Sequence, residues 1–221
     1  MQLIATPADR GLAEQAYVTL RDAILAHELR PGARLSVPVV AEQLGISRSP
    51  AREAIARIAH EGLAFVTPNR GAVVADVAPA DLVEIYQLRE VLEGLACRLA
   101  ATAMTEDHLT TLRALVEEHA KAIEENDPER HYDIDASFHA TIRDIAASTR
   151  LASSLEMLQG QIRLAMHRTH RSPGGMAQAL AEHRLILGAL ESRNPDVAET
   201  VGRAHIARLL NELRQGIDTD E

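Results

Sequence analysis

The stretch YDIDASFHATI, residues 132–142, sets a carboxylate and an imidazole four residues apart. On a helix, Asp135 and His139 share one face and can reach a common partner. They fall among Tyr132, Phe138 and Ile142, where a helix places core side chains. A buried polar group needs a hydrogen-bond partner, and a buried charge needs a counter-charge or a metal. For this pair alone, an internal i,i+4 hydrogen bond is sufficient. Two further histidines change the reading. His183 is in register with Met176, Leu180 and Leu187, and His205 lies near Val201 and Leu209. One carboxylate and three imidazoles form a good ligand set for a divalent transition metal. Zn, Ni, Mn and Fe all accept such ligands, and affinity order alone does not choose between them. Any one of these histidines taken singly reads as a hydrogen-bonded or surface group. Arg89 also interrupts an apolar stripe, that of Leu82, Ile85, Leu92, Ala96 and Leu99. Arg163 sits at the edge of a stripe. His131, His167 and His170 lie off the stripes and read as surface or rim groups.

The elements that must carry these groups are helices. Ser49-Pro50, Asp127-Pro128, Ser172-Pro173 and Asn194-Pro195 each pair a capping side chain with a preset φ. The apolar periodicity predicts helices near 11–28, 37–44, 49–62, 80–103, 105–126, 128–147, 151–169, 173–191 and 195–216. The last six, joined by short links, make an antiparallel helical bundle. One stretch reads as β: AFVTPNRGAVVADV puts two short apolar runs around Pro68-Asn69-Arg70-Gly71, a hairpin signature. DVAPAD after it is the domain boundary. The expected class is mainly α, with a winged helix-turn-helix domain over 1–78 and an all-helical domain over 79–221.

Within the first domain, a short helix ends at Leu44, Gly45 supplies the turn and Ile46 tucks beneath. A second helix follows at Ser49-Pro50. Helix, tight turn, helix is a DNA-reading layout. Ala51, Ile55, Ile58 and Gly62 share one face of the second helix. Arg48, Ser49, Arg52 and Ala56 lie on the other. Arginine forks grip guanine edges in a major groove, and helix N-terminal amides favour phosphate. The hairpin would be a wing with Arg70 at its tip, reaching a minor groove or a phosphate.

These residues resemble the GntR family of bacterial transcription regulators. LRPGARLS, AEQLGISRSPAREAIARIAHEGL and NRGAVV carry the likeness over about residues 11–77. It implies that Ser47, Arg48, Ser49, Arg52 and Gly71 contact DNA. One departure is Pro38, which stands where family members often carry an arginine. The second half is similar to the FadR-type ligand domain of one branch of that family. YQLREVLEGLACRLA, DASFHATI, AEHRLILGAL and GRAHIARLL carry this likeness over about residues 80–215. In the metal-binding members of that branch an aspartate and three histidines hold the ion, and these correspond to Asp135, His139, His183 and His205. Thr149 departs from the pattern at a position often Asn. The resemblance further implies a small carboxylate effector anchored on the ion. Four protein ligands around an octahedral ion leave two positions open for it. Arg89 would be a second, bidentate anchor, or else a buried salt bridge to a nearby Glu. Arg163 is the other effector candidate.

Charge and composition bound the alternatives. The chain has 221 residues and a net charge of −9, but residues 1–78 carry eight Arg against eight acids, and the excess acid lies entirely in 79–221. That asymmetry favours an anionic partner at the N-terminal end. A lone cysteine, Cys97, excludes an intramolecular disulfide and a cysteine-cluster zinc site. There is no signal-peptide core and no apolar run of membrane-spanning length, so a cytoplasmic setting is expected. Three functions stay open. The first is a homodimeric, effector-responsive regulator, expected to be a repressor. The second is a regulator that senses the metal itself. The third is a metal-dependent enzyme, disfavoured because no general base accompanies the ligands.

Overall fold

The computed structural model describes residues 7–67, 71–169 and 175–218. Among them the chain is mainly helical. Its elements run α1 (Pro7–Leu25), β1 (Arg34–Leu35), α2 (Val37–Gln43), α3 (Arg48–His60), β2 (Ala64–Thr67), β3 (Gly71–Val74), α4 (Pro79–Ala103), α5 (Glu106–Glu124), α6 (Pro128–Ile145), α7 (Thr149–Thr169), α8 (Met176–Glu191) and α9 (Pro195–Asp218). None of these helices is long and apolar enough to cross a membrane.

The Pro-linked caps hold at two sites. Asp127 accepts from the Arg130 amide ahead of Pro128, and Asn194 Oδ1 accepts from the amides of Asp196 and Val197. At α3 the expectation is off by two residues. Ser47, extended at ψ 165°, is the N-cap, and Pro50 is the third helical residue. A proline fits there because first-turn amides have no intrahelical acceptor to lose. Ser172-Pro173 lies outside the described residues, and α8 begins at Met176 behind Gly175. The predicted ends of α1, α5 and α6 run two or three residues long. His27, Asn126 and Ala147 take positive φ just past those helices and stop them without a glycine to announce it.

The described residues pack as two compact units: Met1–Leu82 with Glu156–Arg171, and Val83–Leu155 with Ser172–Glu221. In the first, α1 packs on α3 through Ala13, Ala16, Leu20 and Ile24, against Ala51, Ala54, Ile55 and Ile58. The hairpin is present as β2 and β3. The two-residue β1 adds to it in the order β1-β3-β2, pairing Arg34 with Val73 and Leu35 with Ala72. Two residues are too few for an alternating pattern, so periodicity missed β1.

The second half of α7 belongs to this unit. Gly62, at φ +71°, ends the turn after α3 against the Met157 backbone, and a Cβ on Gly160 would overlap the Glu61 carbonyl oxygen. Gly160→Ala therefore forces backbone apart. We expect a loss of about 1–3 kcal/mol, read as a lower melting temperature. An unchanged melt would show that the turn does not need this close approach.

In the second unit α5 packs on α6 and α8, and α8 on α9. The core is largely aliphatic, built from Leu112, Ile142, Leu155, Ile186 and Leu190 around Phe138. Tyr132, expected in the core, is exposed.

Candidate metal centre and nucleic-acid interface

Three helices converge on one buried place. His139 comes from α6, His183 from α8 and His205 from α9, and the three rings are at most 4% exposed. Each offers a ring nitrogen, and these atoms all lie within 4.8 Å of one another. Phe138 stacks on His183 with ring centroids 4.3 Å apart, and His139 stacks on His205 at 5.3 Å. Asp135, one turn before His139, brings Oδ1 to 3.3 Å from His183 Nε2, and its side chain is 26% exposed.

The two nitrogens of each ring have different surroundings. The Nδ1 atoms face fixed partners. His205 Nδ1 is 2.6 Å from Glu182 Oε2, His139 Nδ1 is 3.5 Å from Glu93 Oε2, and His183 Nδ1 is 3.2 Å from His119 Nδ1. The Nε2 atoms of all three rings are buried without an aligned hydrogen-bond partner, although that of His183 has Asp135 Oδ1 at 3.3 Å. A buried polar atom left unmatched costs about 1–3 kcal/mol, so three together in one spot point to an occupant. Imidazole nitrogens beside a carboxylate fit a divalent transition metal. Burial holds the His183 imidazole below its ordinary pKa and brings His205 to about 4, which leaves neutral rings with free lone pairs.

Two carboxylates brace the rings from outside. Burial alone would raise Glu182, but His205 and Arg208 hold it at about 2. Arg208 grips both Glu182 oxygens and also reaches Glu212 at 2.5 Å. Burial likewise opposes ionisation of Glu93, and His139, Arg89 and Arg143 outweigh it, again to about 2. Such carboxylate–histidine pairs fix ring orientation at metal sites.

Arg89 is buried in this network, with Nε 3.4 Å from Glu93 Oε1 and its guanidinium 5.7 Å from the Tyr86 ring. Of the two roles open to it, the geometry presents the ion pair. Arg163 is exposed, on the part of α7 that packs in the first unit. His131 is not a surface group but 6% exposed, and its Nδ1 lies 2.5 Å from Nε2 of fully buried His119. Sequence reasoning missed His119, Glu93 and Glu182. His119 could have been found, since it continues the Leu109, Leu112, Val116 stripe of α5. The side chain of His167 and all of His170 lie outside the described residues.

In the first unit, Ser47, Arg48, Ser49 and Arg52 are exposed together at the start of α3. Arg57, two turns on, is engaged elsewhere: it reaches Glu14 of α1 at 2.6 Å and sits 3.8 Å over the Tyr17 ring. Gly71 is exposed at φ +79° where β3 begins. Arg70 lies outside the described residues. Pro38 is in the first turn of α2, exposed, where a missing amide donor is tolerated.

Comparison with known proteins matches both halves. Residues 12–74 fit the model of bacterial regulatory proteins of the gntR family, and residues 84–208 fit that of the FCD domain. The HTH-type transcriptional repressor RspR of Escherichia coli K12 is 28% identical over 204 residues, covering 91% of this chain and 89% of RspR. An HTH-type regulator from the TAR-I ttuE-ttuC' intergenic region of Agrobacterium vitis is 35% identical over 140 residues, covering 62% of this chain and 82% of its own. The solved structure of E. coli McbR/YncC superposes with TM-score 0.71 at 26% identity, over 93% of this chain and 98% of that one.

Proposed function

The chain belongs to the GntR family of bacterial regulatory proteins, with an FCD domain as its second part, and from that premise we propose that it is a metal-containing transcriptional repressor rather than an enzyme. It binds operator DNA through the N-terminal end of α3. Its operator affinity responds to a small carboxylate seated at the centre in the second unit. The observation that carries the metal reading is the gathering of three buried ring nitrogens, from His139, His183 and His205, within 4.8 Å of one another, their Nε2 atoms making no aligned hydrogen bond. His139, His183 and His205 would hold the ion, with Asp135 as the fourth ligand. When bound, the ion supplies a Lewis-acidic anchor for a carboxylate. The chain itself orients the ligands: Glu182 holds the His205 ring from behind by a hydrogen bond, and Glu93 stands 3.5 Å behind His139.

The regulator acts as a homodimer on a two-fold operator, since half-site spacing lets a small shift between reading heads break simultaneous contact. Supporting this, Leu88, Val91 and Leu95 form an exposed apolar stripe on α4, with Leu88 57% and Val91 50% exposed. Leu88→Glu with Val91→Glu is expected to give a folded monomer by light scattering, with operator binding lost at concentrations that saturate the parent. A dimer that survives both charges would move the interface elsewhere.

One observation favours a second reading, in which the metal is itself the signal: the Arg89 guanidinium is already committed to Glu93, leaving less of it for an organic acid. Dialysing out the metal while following operator binding separates the two. Binding that tracks metal alone, with no response to a panel of small organic acids, rejects the carboxylate effector.

A further inference from the structure

We propose that His119 and His131, which the metal reading does not use, form a hydrogen-bonded histidine chain that sets the tautomer of His183 and thereby positions it as a ligand. The inference rests on that metal reading. His183 Nδ1 lies 3.2 Å from His119 Nδ1, and His119 Nε2 lies 2.5 Å from His131 Nδ1. The ring centroids step outward at 5.1 and 4.7 Å, then on to the exposed Tyr132 ring at 5.1 Å. His183 and His119 are fully buried and His131 is 6% exposed, so neither inner contact is shared with bulk water.

Each neutral imidazole has one N–H donor and one lone-pair acceptor. Two facing nitrogens therefore need one proton between them, and the choice at one end fixes the whole chain. If His183 offers its Nε2 lone pair to a metal, its proton sits on Nδ1 and donates to His119 Nδ1. The His119 proton is then on Nε2 and donates to His131 Nδ1, leaving the His131 proton on Nε2 at the outer end. Without metal, the Asp135 carboxylate favours the opposite polarity. His183 Nε2–H turns to Asp135 Oδ1, 3.3 Å away, His119 Nδ1–H donates to His183, and His131 Nδ1–H donates to His119. All three rings stay neutral in both arrangements. Reversal moves one proton off the inner end and one onto the outer end, so it balances without changing the charge of the chain. His205 has the Glu182 carboxylate at 2.6 Å and His139 has that of Glu93 at 3.5 Å, and a carboxylate accepts only from an Nδ1–H. His183 alone is backed by another histidine, which makes its polarity reversible.

The test uses the full chain and Zn2+. Long-range 1H–15N spectra of histidine-labelled protein report which ring nitrogen carries each proton. Adding zinc is expected to move the His119 proton from Nδ1 to Nε2. Zinc affinity, measured by competition with a chromophoric chelator, is expected to fall about 10–100-fold in His119→Leu, the range for loss of an outer-shell partner. It should be largely rescued in His119→Asn, whose amide oxygen accepts where Nδ1 did. A His119 tautomer indifferent to zinc, or a His119→Leu variant with parental affinity, overturns the chain. If the parent protein itself takes up no zinc, the metal reading fails and takes this inference with it; parental binding with an unaffected His119→Leu rejects this inference alone.

Discussion

His183→Ala is expected to abolish metal retention, measured as ion per chain by elemental analysis after gel filtration. The ring stands at the centre of the cluster, touching Asp135 at 3.3 Å and His119 at 3.2 Å and stacking on Phe138. Losing it removes a ligand and unseats the carboxylate beside it. The effect should exceed the roughly 10–100-fold typical of outer partners. Alanine also opens a cavity against Phe138, so His183→Leu is the better partner variant, filling the volume without offering a donor. Thermal melting then separates ligand loss from misfolding. In the parent, zinc at about 100 times Kd stabilises by about 2.7 kcal/mol through linkage. In His183→Leu that zinc-dependent rise should vanish while the metal-free melt stays close to the parent's. His205→Ala is expected to behave alike. Asp135→Asn should lose less, because its carboxylate is partly exposed and poorly aligned on His183. Full occupancy in His183→Leu would remove His183 from the site.

The three inward histidines were legible because each breaks an apolar period, and the structure gathers them as that pattern implied. What was not legible follows from the same physics. Periodicity reports which face a residue occupies, not which face of another helix it meets. Glu93 was therefore invisible as the brace of His139, and Glu182 as the brace of His205, although each lies on a helix whose neighbouring polar residue was noticed. His131 looked off-stripe because the α6 stripe was drawn through Tyr132. Shifting it by one residue puts His131, Asp135 and His139 on a single face. Arg163 sat near a stripe edge, but the second half of α7 packs against the turn after α3, and nothing local in a helical repeat announces such a change of partner. Helix ends ran long where His27, Asn126 and Ala147 do work usually given to glycine.

Arg52→Ala should reduce operator affinity towards the non-specific level while leaving the fold intact. Arg52 is exposed on the second turn of α3 and makes no ion pair among the described residues, so its removal should change stability by no more than about 0.5 kcal/mol. A bidentate arginine–guanine contact discriminates by about 1–3 kcal/mol. A two-fold complex uses the residue twice, so the expected loss is about 2–6 kcal/mol, roughly 30-fold to 10⁴-fold at 1.4 kcal/mol per decade. Specific binding typically stands about 4–10 kcal/mol above non-specific binding, so the upper part of that range erases most of the preference. Arg57→Ala is the informative control. Arg57 is on the same helix and equally charged, but it is spent on Glu14 and Tyr17 of α1. It should loosen α1 against α3 and lower the melting temperature, with operator affinity reduced only as far as stability is. Net charge cannot account for opposite outcomes from two arginines on one helix; their faces can. Gel-shift affinity unchanged in Arg52→Ala, or an equal loss in both variants with equal melts, would take the base-reading role away from the start of α3.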